Sequence, residues 1–199
     1  DGKVNFGAAA LTLGTLSGGG LVNLSGTNLT LSGGSFSGSL ADLVSAGSLT
    51  KQGSGNLWLS GSNSYTGATF VNAGSLNLSS GGTISGVNIS VSSGAFLNLA
   101  SGSAINNGSE LVANGVVTMA GAAVQVASLN GAATGLISLD GTNLTIGSGL
   151  FAGVVSDGVA AGSVTKNSGG HLTLTGANSF TGDLNLGAGT LRIGADRKS

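Results

Sequence analysis

The first residue to test for chemistry is His171, the one histidine in the sequence. To act as a general base it needs a nucleophile within reach, and no serine lies in a G-x-S-x-G elbow. The carboxylates fare no better. Asp42, Glu110, Asp140, Asp157 and Asp183 are scattered singly, with Asp1 and Asp196 at the ends. Cleavage of a glycosidic bond takes two carboxyl groups within about 10 Å of each other, and nothing in this spacing pairs them. Cysteine is absent, so neither a disulfide nor a thiolate metal site is available. No Gly-Gly-x-Gly-x-Asp calcium repeat occurs. The expectation is a chain that is not an enzyme, with no catalytic residue, no metal site and no cofactor.

The aromatic residues carry more information. In Leu57-Trp58-Leu59 the leucines face inward on a strand, which turns Trp58 outward. Phe70-Val71 recurs as Asn185-Leu186 in a later copy of the same stretch, so Phe70 reads as outward too. Two exposed aromatics make a patch for a sugar or a protein partner, since such residues are favoured at contact sites. The structural alternative is that both stack on neighbouring strands or lie under a loop. Tyr65 and Phe180 each stand in Asn-Ser-aromatic-Thr-Gly, which reads as a turn anchored on a core.

Positioning these side chains falls to short strands. Ala10–Leu13, Leu21–Leu24 and Asn28–Leu31 alternate with period two and end in Gly or Ser-Gly. Glycine is 39 of 199 residues and proline is zero, yet 40% of the chain is hydrophobic. That combination is turn chemistry between strands that must donate at every ladder position, not a linker. Leu40 to Ala46 is the one stretch that could wind a turn or two of helix. Six basic against seven acidic residues leave no patch for nucleic acid. No apolar run reaches the length of a membrane helix, so direct membrane insertion is not expected. The chain opens on Asp1 with no signal peptide in view, which reads as a segment of something longer.

One thirty-residue stretch occurs twice. Residues 49–78 fall without a gap on residues 164–193, and thirteen positions are identical. Among them are Lys51/Lys166, Gly61/Gly176, Asn63/Asn178, Gly67/Gly182 and Gly74/Gly189. His171 falls on Asn56, so that position asks only for polarity. Asp42 falls on Asp157 as part of a longer duplication, about 9–78 and 122–193, whose leading pieces match with a two-residue difference in spacing. Residues 79–121 differ in sequence but keep the same grammar, so residues 1–199 read as one continuous β-helix segment.

Repeats of short glycine-bounded strands bury a core by stacking coil on coil. At roughly 20 residues per coil the chain makes about 9 or 10 coils and a rod on the order of 45 Å long. In-register parallel pairing also stacks asparagine on asparagine. An antiparallel sandwich competes, on the strength of Asn-Gly and Asp-Gly pairs such as Asn107-Gly108 and Asp140-Gly141. Few of these have alternating runs on both sides. A segment of solenoid with bare strand edges is also expected to associate end to end.

The run Thr50–Leu76, TKQGSGNLWLSGSNSYTGATFVNAGSL, resembles the autotransporter-associated β-strand repeat, and its second copy departs from the pattern at Ser168, where the first has Gly53. The resemblance implies an all-β, right-handed parallel β-helix in the passenger of a type V secreted protein of a Gram-negative bacterium. It implies export through the outer membrane by way of a C-terminal β-barrel, to the cell surface or beyond. Such passengers are often adhesins, aggregation factors or stalks. The expected function is therefore a stalk or an adhesive, self-associating rod whose partners are a host surface, a glycan or itself. The alternative is a glycan- or host-ligand-binding domain with its site at Trp58 and Phe70.

Overall fold

A computed structural model of the chain describes residues 2–7, 9–121 and 123–194. Asp1 and Asp196, and the Ala122 that begins the second duplicated unit, lie outside the described residues. Every strand pairing among the described residues is parallel, which excludes the antiparallel sandwich. The chain winds as a β-solenoid of about nine turns. Most coils carry three strands, one to a side.

Side one takes 28–31, Ser48–Lys51, Thr69–Val71, Asn88–Val91 and Glu110–Ala113 in succession. Its inward row reads Leu29, Leu49, Thr69, Ile89, Leu111 and Leu129, one residue per coil. Side two takes Asn56–Leu59, Ser75–Leu78, Phe96–Leu99, Val116–Met119, Leu136–Ser138 and Val154–Ser156. Its inward row is Leu57, Leu76, Leu97, Val117, Ile137 and Val155, all of them fully buried. Side three carries the shortest strands, such as Ser62–Asn63, Thr83–Ile84 and Ala104–Ile105. No strand here buries enough to stand alone; the rows do, because each leucine meets its equivalents one coil above and one below.

Asparagine stacking occurs where the register brings like residues together. Asn98 Nδ2 donates to Asn77 Oδ1 at 2.8 Å, and Asn23 Nδ2 to Asn5 Oδ1 at 3.2 Å. The stretch Leu40 to Ala46 is not helical. Its first residues complete the strand Ser39–Ala41, and the rest is a loop closed by Gly47 N donating to Asp42 Oδ1 at 2.9 Å. An aspartate that ties its own loop in this way gives the backbone a better alternative to a helix. Asp140-Gly141 forms a turn with φ of +44° and +78°, as hairpin turns do, yet it joins two sides of a solenoid. Its duplicate Ser25-Gly26 does the same at +43° and +85°.

The two duplicated units stand on different sides of the rod. From Leu29, side one recurs at Leu49, Thr69, Ile89, Leu111 and Leu129, which is five coils. The duplicate of Leu29 is Leu144. It comes after residues 136–138 on side two and before the next side-one strand, where Ser148 pairs with Ser128, and so lies on side three. The displacement is thus five coils and two further sides, and every element of the second copy is turned by one side relative to the first.

Candidate functional site

Inside the rod, the repeat builds the same set of ties in both copies. Alternation from Leu49 points Lys51 inward, and Lys51 is completely buried. Its ammonium donates to the carbonyls of Gln52 at 2.9 Å, Gly53 at 2.7 Å and Ala73, on the next coil, at 3.0 Å. Three donors meet three acceptors, so the corner between sides one and two is closed by one side chain. Burial lowers the pKa of this lysine from its ordinary value. Lys166, also fully buried, repeats the arrangement with the carbonyls of Ser168 and Ala188. Gly53 is in the left-handed region, φ +71°, whereas the second copy runs as one strand, Ser163–Leu174, through the equivalent corner. Ser168 stands in for Gly53 because it still turns its carbonyl to the lysine, and its hydroxyl donates to the Gly147 carbonyl across the coils. Gly74 and Gly189 complete the two cages. Both have positive φ, and a Cβ on either would come within 2.8 Å of the lysine nitrogen.

Asn63 is buried and takes the place of a backbone group in the ladder. Leu40 N donates to its Oδ1 at 3.0 Å, and its Nδ2 donates to the Gly61 and Thr83 carbonyls. Asn178 does the same to Val155 N and the Gly176 carbonyl, both at 2.9 Å. Gly61 and Gly176 are required for another reason: a Cβ on them would press onto the Gly38 and Gly153 carbonyl oxygens of the preceding coil. Asp42 Oδ2 accepts from Thr66 N at 2.6 Å and Thr66 Oγ1 at 2.9 Å, and Asp157 accepts from the same two groups of Thr181 at 2.7 Å. The amide of Gly162 and both groups of Thr181 hold Asp157 below the usual carboxylate range. Tyr65 is fully buried, with its hydroxyl 2.6 Å from Thr69 Oγ1, and burial pushes its pKa well above the ordinary phenol value. In the second copy Phe180 stands for Tyr65 and Leu184 for Thr69, so the two hydroxyls are lost together.

The outer surface is where the copies part. Trp58, 47% exposed, lies on side two in the outward row Trp58, Asn77, Asn98, Thr118, Ser138. Phe70, 40% exposed, lies on side one between Thr50 and Ser90. Both point outward, but on different sides of the coil, so the structure does not bring them into one patch. The corner at 52–55, closed by Lys51, separates their sides. Beside Trp58 a groove of about 330 Å³ runs across the coils, bordered by Asn77, Asn98 and Thr118 and floored by Leu99 and Ala100. A second groove, about 450 Å³, lies on side three along Thr83–Ser85 and Ala104–Asn106. There the Asn106 amide is already engaged by the Ser85 carbonyl and Gly108 N.

His171 is exposed, in register with Thr190. Glu110 accepts from Asn130 Nδ2 at 2.8 Å, and Asp140 from Val159 N and Ala160 N at 3.1 Å. Among the described residues no three His, Cys, Asp or Glu side chains gather as a metal site would need. Among them, too, no helix is long and apolar enough to cross a membrane.

Residues 49–78 and 164–193 both match the model of the passenger-associated-transport-repeat. Over 170 residues the chain is 32% identical to a protein of Brucella suis biovar 1 (strain 1330) named Adhesin BmaC autotransporter. The match takes in 83% of this chain and spans about 4% of the length of that relative. No solved structure matches the chain.

Proposed function

We propose that this chain, a repeat-bearing segment of an autotransporter passenger exported through the outer membrane to the cell surface or released, acts as a rigid adhesive rod. The observation that carries this reading is the outward row of side two, Trp58 to Ser138, a strip without a charged side chain held in register over five coils. Such a strip offers many weak contacts at fixed spacing, and multivalency turns weak contacts into attachment. The contacted surface is a host cell, its glycans, or another copy of the rod. The C-terminal β-barrel of the full-length protein anchors it. The same reading takes the chain as non-enzymatic. Supporting this, the carboxylates of Asp42 and Asp157 are occupied by backbone amides and threonine hydroxyls.

Labelled chain offered to cultured host cells tests the reading. Saturable binding, displaced by excess unlabelled chain, is expected. Binding no stronger than that of an unrelated solenoid of equal length, together with no self-association in sedimentation, leaves a spacer and overturns it.

A further inference from the structure

The groove beside Trp58 combines features that the rest of the rod does not. Trp58 is the single tryptophan of the chain, and its indole stands half-exposed at one wall. Asn77, in register with it on the next coil, is 6% exposed, and its Oδ1 is taken up by Asn98 Nδ2 at 2.8 Å. That bond fixes the orientation of the Asn98 amide and leaves Asn98 Oδ1 without a protein hydrogen bond among the described residues. The Thr118 hydroxyl, one coil further, is likewise without a protein hydrogen bond among the described residues, and both side chains are part-exposed. An apolar ring face and, beside it, an acceptor and a hydroxyl therefore open into one space. Trp58, Asn77, Asn98 and Thr118 stand on four successive coils at the strand spacing of about 4.8 Å, and all four border the one groove. No charged side chain lines the groove.

We propose that this groove is a binding site for a neutral hexopyranose unit of a surface glycan. The C–H face of the sugar stacks on the Trp58 indole, and ring hydroxyls bond to Asn98 Oδ1 and the Thr118 hydroxyl. The lack of charge argues against sialic and uronic acids, whose carboxylates would lose hydration with no cation to replace it. An open groove of this size orders one ring and gives weak monovalent binding, which suits a rod that works by multivalency. Phe70 has no part in it, because it stands on another side of the coil. The proposal rests on the adhesive reading above and names the ligand class for it.

Trp58 is its own reporter. The purified chain is titrated with the methyl glycosides of glucose, galactose and mannose, with N-acetylglucosamine, and with sialic and glucuronic acids, each to about 50 mM. The expected result is a saturable fluorescence change with at least one neutral sugar and none with the acids. Saturation-transfer NMR then follows the same sugar on variants. Trp58→Thr places the residue of the second copy and abolishes transfer. Thr118→Val, which keeps the Asn77–Asn98 bond and the tryptophan, weakens binding about fivefold. Phe70→Asn leaves it unchanged. Circular dichroism confirms that each variant is folded. No saturable response to any neutral sugar, preference for the acids, or transfer that survives Trp58→Thr overturns the proposal. Cell binding measured in parallel separates the two readings. Attachment that persists in Trp58→Thr removes the sugar site and keeps the adhesive rod, whereas sugar binding without attachment does the reverse.

Discussion

The two copies of the thirty-residue stretch, 49–78 and 164–193, agree at the residues that tie one coil to the next and part at several side chains of the outer face. Lys51 and Lys166 close equivalent corners, Asn63 and Asn178 fill equivalent gaps in the ladder, and Asp42 and Asp157 tie equivalent loops to the next coil. Outside, Trp58 becomes Thr173, Phe70 becomes Asn185 and Asn56 becomes His171. The repeat thus specifies how a coil is held on its neighbours. What the rod shows to its surroundings is left to the other residues. Because the copies differ by one side in orientation, even a shared outward feature would face in another direction.

The sharpest way to break the comparison is at the glycine of the lysine cage. Gly74→Ala puts a methyl group against the Lys51 nitrogen and two carbonyl oxygens at a φ of +63°, a conformation that costs a non-glycine residue by itself. The strain and the overpacking together are expected to destabilise the rod by about 4 kcal/mol. Gly189→Ala, at φ +75° with the same neighbours, is expected to cost as much within the ordinary scatter. Urea unfolding followed by circular dichroism checks both. A cost under about 1 kcal/mol at either site would mean that the cage yields, and that the copies are alike in sequence only.

Replacing the lysine itself comes next. Lys51→Met keeps the stem and removes the ammonium, which leaves the Gln52, Gly53 and Ala73 carbonyls without their donor. Unpartnered buried carbonyls are expensive, and a loss of about 3 kcal/mol is expected in the same urea experiment. Replacing the lysine by arginine does not rescue it, since a planar fork cannot meet three carbonyls converging on one point.

Much of this was legible in the sequence and some was not. Period-two bursts ended by glycine gave the strands, and their recurrence at roughly twenty residues gave the solenoid. Alternation places Leu57 and Leu59 inward and Trp58 outward, and the polar counterpart Asn185 places Phe70 outward. The side on which each residue stands was not legible, because it depends on the summed lengths of all intervening coils. From Leu11 to Leu129 the pairings Leu29, Leu49, Thr69, Ile89 and Leu111 give steps of 18, 20, 20, 20, 22 and 18 residues. A drift of two residues in either direction is invisible in any local pattern, yet summed over five coils it decides on which side a distant copy such as Leu144 falls. The buried lysines went unread for a different reason: Lys51 and Lys166 stood out only as identical positions of the repeat. The signal was present in the alternation Leu49 in, Thr50 out, Lys51 in, joined to the identity of Gly74 with Gly189. Glycine was read throughout as turn chemistry, whereas Gly61 and Gly176 serve the close approach of one coil to the next.

A smaller effect sharpens the comparison by converting one copy into the other. Tyr65→Phe removes a buried hydroxyl and leaves Thr69 Oγ1 without its partner 2.6 Å away, at an expected cost of about 1.5 kcal/mol. Thr69→Leu alone strands the tyrosine in the same way. The double variant is the Phe180–Leu184 pair of the second copy, and it is expected to recover most of the loss. The double-mutant cycle should give a coupling of about 1 kcal/mol. Strict additivity would mean that the paired change between the copies is coincidence.

The smallest effect expected is electrostatic. Asp157 receives two amides and a hydroxyl, and these hold its pKa below the ordinary carboxylate value. A carboxyl depressed on folding contributes stability that is present above its unfolded pKa and fades as pH falls through the folded one. The loss from this group therefore begins in mildly acid solution near the usual aspartate range and is complete only once the depressed folded value is passed. Asp157→Asn keeps an acceptor for the loop but has no charge to titrate. The urea midpoint of the variant should lie below that of the parent at pH 7, and the gap should narrow at pH 3. Because the carboxylate is only part-buried, the gap should also shrink in high salt. A gap that is constant with pH would assign the tie to hydrogen-bond geometry alone. In that case the loops of the two copies are held by shape, and their aspartates owe nothing to charge.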